Sequence, residues 1–146
     1  MMDPDGYLLR FSQWLGSRPV DQNQVAPTSK LFRVHHTQVS IPKGAEDQAL
    51  AFYCDLLGLK EVPRPASLAG RGGFWLQLGD IQIHFGAEDR VDRKGTKSHV
   101  AYQVQNLESW RVQLTQAGVE ILDGIPIPSY ERFEFRDPFG NRVEFL

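Results

Sequence analysis

His36-Thr37-Gln38-Val39-Ser40-Ile41 and His99-Val100-Ala101-Tyr102-Gln103-Val104 open two stretches built to one plan. Each run alternates its side chains between two faces, as a half-buried strand does. A helix-spaced stretch follows each. Residues 46–57 place apolar side chains at Ala49, Leu50, Phe52, Tyr53, Leu56 and Leu57, and Gly58 stands ready as C-cap. Residues 107–117 repeat the pattern, with Asn106 as N-cap and Gly118 at the end. Beyond each glycine comes a short apolar strand, 59–62 and then 119–122. Further strands close each half: 74–78 and 81–85 as a hairpin around Gly79-Asp80, then 132–136 and 141–146 around Asp137-Pro138-Phe139-Gly140. His84 and Glu144 fall at matching places on the last strand of each half. The unit βαβββ therefore occurs twice. The predicted fold class is α+β: two tandem βαβββ modules forming curved mixed sheets, with helices on the outer face. A module of about 50 residues is too small to bury a sheet face alone, so the two are expected to pair.

The remaining boundaries follow. Residues 1–31 read as an N-terminal tail and linker, with a turn at Asp3-Pro4-Asp5-Gly6, an extended run at 7–11, and Pro19, Pro27 and small polar residues after it. Residues 32–146 form the domain, with module one at about 32–90 and module two at about 97–146.

Composition narrows the function classes. The chain has 146 residues, 41% hydrophobic and 23% charged, with a formal net charge of -2. That is globular composition without the basic footprint of a nucleic-acid binder. No apolar run approaches the length of a membrane span, and no basic segment followed by an apolar core opens the chain, so a cytoplasmic location is expected. Cys54 is the single cysteine, which excludes an intrachain disulfide and a cysteine zinc cluster. It lies on the apolar-rich helix and reads as a packing residue. A metal site must then use His, Asp, Glu or Gln.

Strand parity shows where such residues point. Val39 and Ile41 share one face of their strand, and His36, Gln38 and Ser40 share the other. Ile81, Ile83 and Phe85 oppose Gln82 and His84. Val100, Tyr102 and Val104 oppose His99, Ala101 and Gln103. Val143 and Phe145 oppose Arg142 and Glu144. Four polar faces thus each carry one metal-competent residue: His36, His84, His99 and Glu144. Imidazole and carboxylate suit Zn, Ni, Co, Mn or Fe better than Mg, so one divalent ion per site is expected, of unassigned identity. His35 has the opposite parity and is expected to be structural or exposed. Gln38, Trp75, Gln77, Gln82, Gln103, Tyr130 and Arg132 are candidate substrate-binding residues on or beside the same face. Glu134 alternates with Phe133 and Phe135 and is a second candidate catalytic carboxylate beside Glu144.

These runs, with Ala51-Phe52-Tyr53-Cys54-Asp55-Leu56-Leu57-Gly58-Leu59 and Asp137-Pro138-Phe139-Gly140-Asn141-Arg142-Val143-Glu144-Phe145-Leu146, resemble the vicinal oxygen chelate superfamily. It includes glyoxalase I, fosfomycin-resistance proteins, extradiol dioxygenases and bleomycin-resistance proteins. The resemblance covers about residues 33–146. It implies metal ligands at His36, His84, His99 and Glu144, and a homodimer in which His36 and His84 of one chain meet His99 and Glu144 of another. Glutathione-dependent glyoxalase I carries Arg and Asn where this chain has Ser40 and Glu88, which counts against a glutathione adduct as substrate. Residues 3–11 resemble the closing motif of 137–145, with Arg10 at the ligand position.

The resemblance implies a metal-dependent enzyme, of isomerase/lyase type or a dioxygenase, that chelates two oxygens of a small oxygenated substrate. The alternative from another class is an antibiotic- or metabolite-binding protein, like the bleomycin-resistance proteins, without turnover. Neither nucleic acid nor membrane is an expected partner.

Overall fold

The computed structural model describes residues 29–146. The chain divides into two compact units, Met1–Phe32 and Arg33–Leu146, and the second carries all that follows. The expected turn, strand and closing-like motif at 3–11 lie outside the described residues.

Among the described residues, seven strands form two sheets. β1 (His36–Ile41), β4 (Ile81–Ala87), β3 (Phe74–Leu78) and β2 (Lys60–Val62) lie side by side in that order, and β5 (His99–Tyr102), β7 (Arg142–Phe145) and β6 (Phe133–Arg136) form the second sheet. β1 runs parallel to β4, and β5 parallel to β7; the other pairs are antiparallel. The pairing pattern of the first half thus recurs in the second, as the repeat predicts. The expected eighth strand at 119–122 shrinks to one bridge, in which Leu122 and Glu134 exchange N–H···O bonds of 2.8 Å.

The helix of module one begins as α1 (Glu46–Leu50) and widens into a π-helical turn at Ala51–Leu56, where a regular α-helix was expected. Consecutive Phe52 and Tyr53 are both buried there, and the wider turn brings neighbouring side chains closer to one face. Gly58 then takes φ +82°, a left-handed conformation that glycine adopts without steric cost. In module two, α2 (Leu107–Gln116) starts from Asn106, which itself has φ +63° and makes no side-chain cap bond; the capping expected of it is absent.

Apolar residues from both halves make one core. Phe52 packs on Phe135, and Tyr53 on Phe85. The two halves are also tied by polar bonds that explain the closing motif. Asp137 is 4% exposed, and its Oδ1 accepts from the backbone N–H of Phe139 (2.9 Å) and Asn141 (2.8 Å). Its Oδ2 accepts from Tyr53 OH and Asn141 Nδ2, both at 2.7 Å. Asn141 Nδ2 also donates to Ser40 O at 2.9 Å. A buried carboxylate with four donors is fully satisfied, and the turn of module two is thereby anchored to the helix and first strand of module one.

Candidate functional site

Register places the polar residues of the first sheet in rows. Trp75 pairs with His84, and His84 with Gln38; Gln77 pairs with Gln82, and Gln82 with His36. His84 lies flat between two rings. The Trp75 ring is 3.9 Å away at 3°, and the His36 ring 4.0 Å away at 17°. Burial first, then the neighbouring His36 and His35, hold the His84 imidazole below the ordinary histidine range. It therefore stays neutral, the state in which a ring nitrogen can bind a metal.

A glutamine relay sets the His84 tautomer. Gln77 Nε2 donates to Gly79 O (2.7 Å) and Ile81 O (3.2 Å), which turns its carbonyl toward Gln82. Gln82 Nε2 donates to that carbonyl at 3.2 Å, and Gln82 Oε1 faces His84 Nε2 at 2.9 Å. His84 Nε2 therefore carries hydrogen and Nδ1 holds the lone pair. His36 Nδ1 is engaged with His35 Nδ1 at 2.9 Å, leaving His36 Nε2 unengaged. His35, expected to be structural or exposed, is exposed.

The second sheet holds a denser charged group. Glu144 lies opposite Glu134 and Ala101, and His99 opposite Arg142. Arg132 bridges the two carboxylates: its Nε donates to Glu144 Oε1 and its Nη2 to Glu134 Oε1, each at 2.5 Å. Its Nη1 donates to Ile125 O at 3.0 Å. Arg142 Nη2 also donates to Glu134 Oε1. The hydrogen bond from Arg142 holds the Glu134 carboxyl below the usual carboxylate range, burial works against it, and Arg132 adds to the lowering. A carboxylate so held is a weak proton acceptor. Arg142 entered the sequence reading only through its parity with Glu144, and its part in this network went unseen.

His99 carries the most telling geometry. Its Nδ1 lies 2.8 Å from Lys97 O, an acceptor, so Nδ1 bears the hydrogen. Its Nε2 lies 2.9 Å from Glu144 Oε2, also an acceptor. A neutral ring of this tautomer would turn its lone pair on the carboxylate. Either a doubly protonated ring or a cation between the two atoms resolves the clash. The donor set fits a divalent ion, and the backbone carbonyl behind Nδ1 is the usual orienting partner of a metal-binding imidazole.

The four expected ligands thus form two pairs, His36 with His84 and His99 with Glu144. Among the described residues no group of three or more His, Cys, Asp or Glu gathers as a metal-binding set. The candidate substrate residues also divide. Trp75, Gln77 and Gln82 surround His84, while Arg132 holds Glu144. Gln38 and His99 border one cavity of about 440 Å³. Gln103 borders another, of about 300 Å³, with Trp110 and Phe145. Tyr130 is 60% exposed. Ser40, which stands where glutathione-dependent glyoxalase I carries Arg, has a cation beside it: Arg93 Nε donates to Ser40 O (3.0 Å) and Ser40 Oγ (3.1 Å). A loop residue distant in sequence gave no signal of this.

Comparison with known proteins agrees with this architecture. Residues 33–145 match the model of the Glyoxalase/Bleomycin resistance protein/Dioxygenase superfamily. A solved protein of the glyoxalase family from Bacillus anthracis is 36% identical, with a TM-score of 0.75 over 80% of this chain and 95% of that one. A glyoxalase/dioxygenase from Nostoc punctiforme is 20% identical, with a TM-score of 0.67 over 86% and 97%. The fosfomycin resistance protein FosX from Listeria monocytogenes, solved with Mn(II) and a sulfate ion, is 15% identical, with a TM-score of 0.65 over 80% and 90%. The last two show likeness of fold. No curated protein matches.

Proposed function

Because the chain belongs to the Glyoxalase/Bleomycin resistance protein/Dioxygenase superfamily, we propose that it is a metal-dependent enzyme acting on a small oxygenated substrate, by isomerase/lyase-type or dioxygenase chemistry. The observation that carries this is the His99–Glu144 pair, an imidazole nitrogen and a carboxylate oxygen 2.9 Å apart, donor types that a divalent transition ion takes. His36, His84, His99 and Glu144 are the proposed ligands. They stand as two pairs on two sheets, so the proposed assembly is a homodimer in which one chain's His36 and His84 meet the partner's second pair.

When bound, the divalent ion supplies Lewis acidity toward two oxygens of the substrate. The chain's own residues do the rest. Trp75 keeps the His84 ring in its plane, and the Gln77–Gln82 relay holds its tautomer. Glu144 is the proposed base as well as ligand. Glu134, neutralised by Arg142 and Arg132, is the lesser candidate and orients Arg132. Gln38, which borders the same cavity as His99, is the proposed hydrogen-bond partner of a substrate oxygen.

The Arg132–Glu144 bond favours a second reading. If Arg132 keeps Glu144 Oε1, no free carboxylate remains to move a proton, and the protein binds a metabolite or antibiotic without turnover. Metal analysis after reconstitution with Zn, Ni, Co, Mn or Fe(II), followed by assay of 2-oxoaldehyde thiol adducts, fosfomycin and catechols, separates the two. Stoichiometric metal in the wild type, its loss in Glu144→Ala, and turnover of one substrate class support the enzyme. Metal-free protein in every case would overturn it.

A further inference from the structure

We propose that the cavity at the seam between β1 and β5 is an anion site built on Arg93, and that it takes the carboxylate of a small organic acid. Arg93 lies in the segment linking β4 to β5 and is only 8% exposed. Its hydrogen-bond partners are all neutral: Ser40 O, Ser40 Oγ and, through Nη2 at 2.6 Å, Glu88 O. No carboxylate pairs with it among the described residues. A buried charge without a counter-charge is costly, and these three bonds leave that cost unmet.

A guanidinium has five N–H groups. The bonds to Ser40 and Glu88 engage the Nε group and one on Nη2. Nη1 has no hydrogen-bond partner and is not among the sealed side-chain atoms of the described residues, so its two N–H groups are available to a ligand. Arg93 lines a cavity of about 440 Å³ with Ser40, Thr96, His99 and Asn141. That volume lies within the range of about 300–1,000 Å³ usual for small-molecule sites.

The charge balance sets the ligand class. Arg142 also borders the cavity, but it is paired with Glu134. Asp92 borders it too; that side chain is exposed and accepts from Gly95 N at 2.9 Å. Asp92 keeps its charge in solvent, so Arg93 is the buried charge on the cavity wall that lacks a counter-charge, and it is carried on a planar fork. A carboxylate meets such a fork with two parallel bonds. Thr96 brings a hydroxyl for a further oxygen.

The site does not depend on the proposed metal chemistry, and its test contains neither metal nor turnover. Metal-free full-length chain labelled with ¹⁵N-arginine is titrated with acetate, pyruvate and inorganic phosphate at constant ionic strength in chloride. The Arg93 Nε–H resonance, assigned by its loss in Arg93→Lys, is followed. A saturable shift with acetate or pyruvate, at least fivefold tighter than with chloride or phosphate, is the expected result. Thermal melts should show carboxylate-dependent stabilisation in the wild type, reduced in Arg93→Lys and absent in Arg93→Met. No saturable shift, or stabilisation that persists in Arg93→Met, would overturn the site. A tighter response to phosphate would overturn the carboxylate assignment. The wild-type titration decides the question even where Arg93→Met does not fold.

Discussion

Tyr53 donates its phenolic hydrogen to Asp137 Oδ2 at 2.7 Å, and through that bond the π-helical turn of one module holds the closing turn of the other. Asp137 keeps three further donors, so removing this one weakens the carboxylate without isolating it. Tyr53→Phe is expected to lower stability by about 1.5–3 kcal/mol, the range for a hydrogen bond to a charged group. Urea denaturation checks this: the midpoint should fall with the slope unchanged.

The same bond makes stability sensitive to alkali. Burial, then Asp137, pushes the Tyr53 phenol well above its ordinary value. The unfolded phenol ionises near pH 10, while the folded one keeps its proton. The stabilisation is therefore complete below about pH 10 and is lost as pH rises beyond it. Tyr102, raised by burial and by Asp137, adds to the fall. Tyr53→Phe should flatten part of the decline between pH 9 and 11, as measured by urea midpoints; an unchanged slope would refute the assignment.

Glu134 gives the opposite limb. Its carboxyl is held low by Arg142, against burial, with Arg132 assisting. A depressed carboxylate stabilises fully above its unfolded value, near 4.3, and that contribution disappears as pH falls through the folded value. Glu134→Gln should cost about 1.5–3 kcal/mol at pH 7 and make the remaining stability less dependent on pH between 5 and 3. Acid melts followed by circular dichroism test both parts.

Parity alone told which face each proposed ligand takes, because a strand's side chains alternate whatever it pairs with. His84 and Trp75 were therefore legible as neighbours of the same face. Their stacking was not, because it needs the register of β3 on β4. The repeat gave the order of strands, but not the shrinking of the one at 119–122 to the single Leu122–Glu134 bridge. Parity also could not say that the four ligand types would form two pairs on two sheets. Arg93 was the least visible of all: a loop residue has no period, and its burial against Ser40 is purely tertiary.

The Gln77–Gln82 relay predicts a tautomer. In metal-free protein His84 should carry hydrogen on Nε2 alone, which ¹⁵N chemical shifts of the ring report directly. Gln82→Ala removes the acceptor 2.9 Å from Nε2, and the two tautomers should then mix. Gln77→Ala should have a smaller effect in the same direction, because it acts only through Gln82. Equal shifts in wild type and both variants would show that the relay does not set the ring.

Arg132 and Glu144 decide between turnover and binding. Arg132 Nε holds Glu144 Oε1 at 2.5 Å while Oε2 faces His99 at 2.9 Å, so both carboxylate oxygens are engaged. If Glu144 is base and ligand, its change to Gln should lower metal content and reduce rate by about 10²–10⁴-fold, the usual worth of a positioned acid or base. Arg132→Met frees one oxygen of Glu144 but also strips a partner from Glu134, so stability must be measured beside rate. In that variant metal should bind more tightly, since a competing cation has gone. If Arg132 also binds substrate, as proposed, the rate with a neutral substrate should change less than with an anionic one. Tighter metal binding with unchanged rates for both substrates would leave Arg132 a purely structural bridge; a Glu144→Gln protein with full metal and full rate would remove Glu144 from the chemistry.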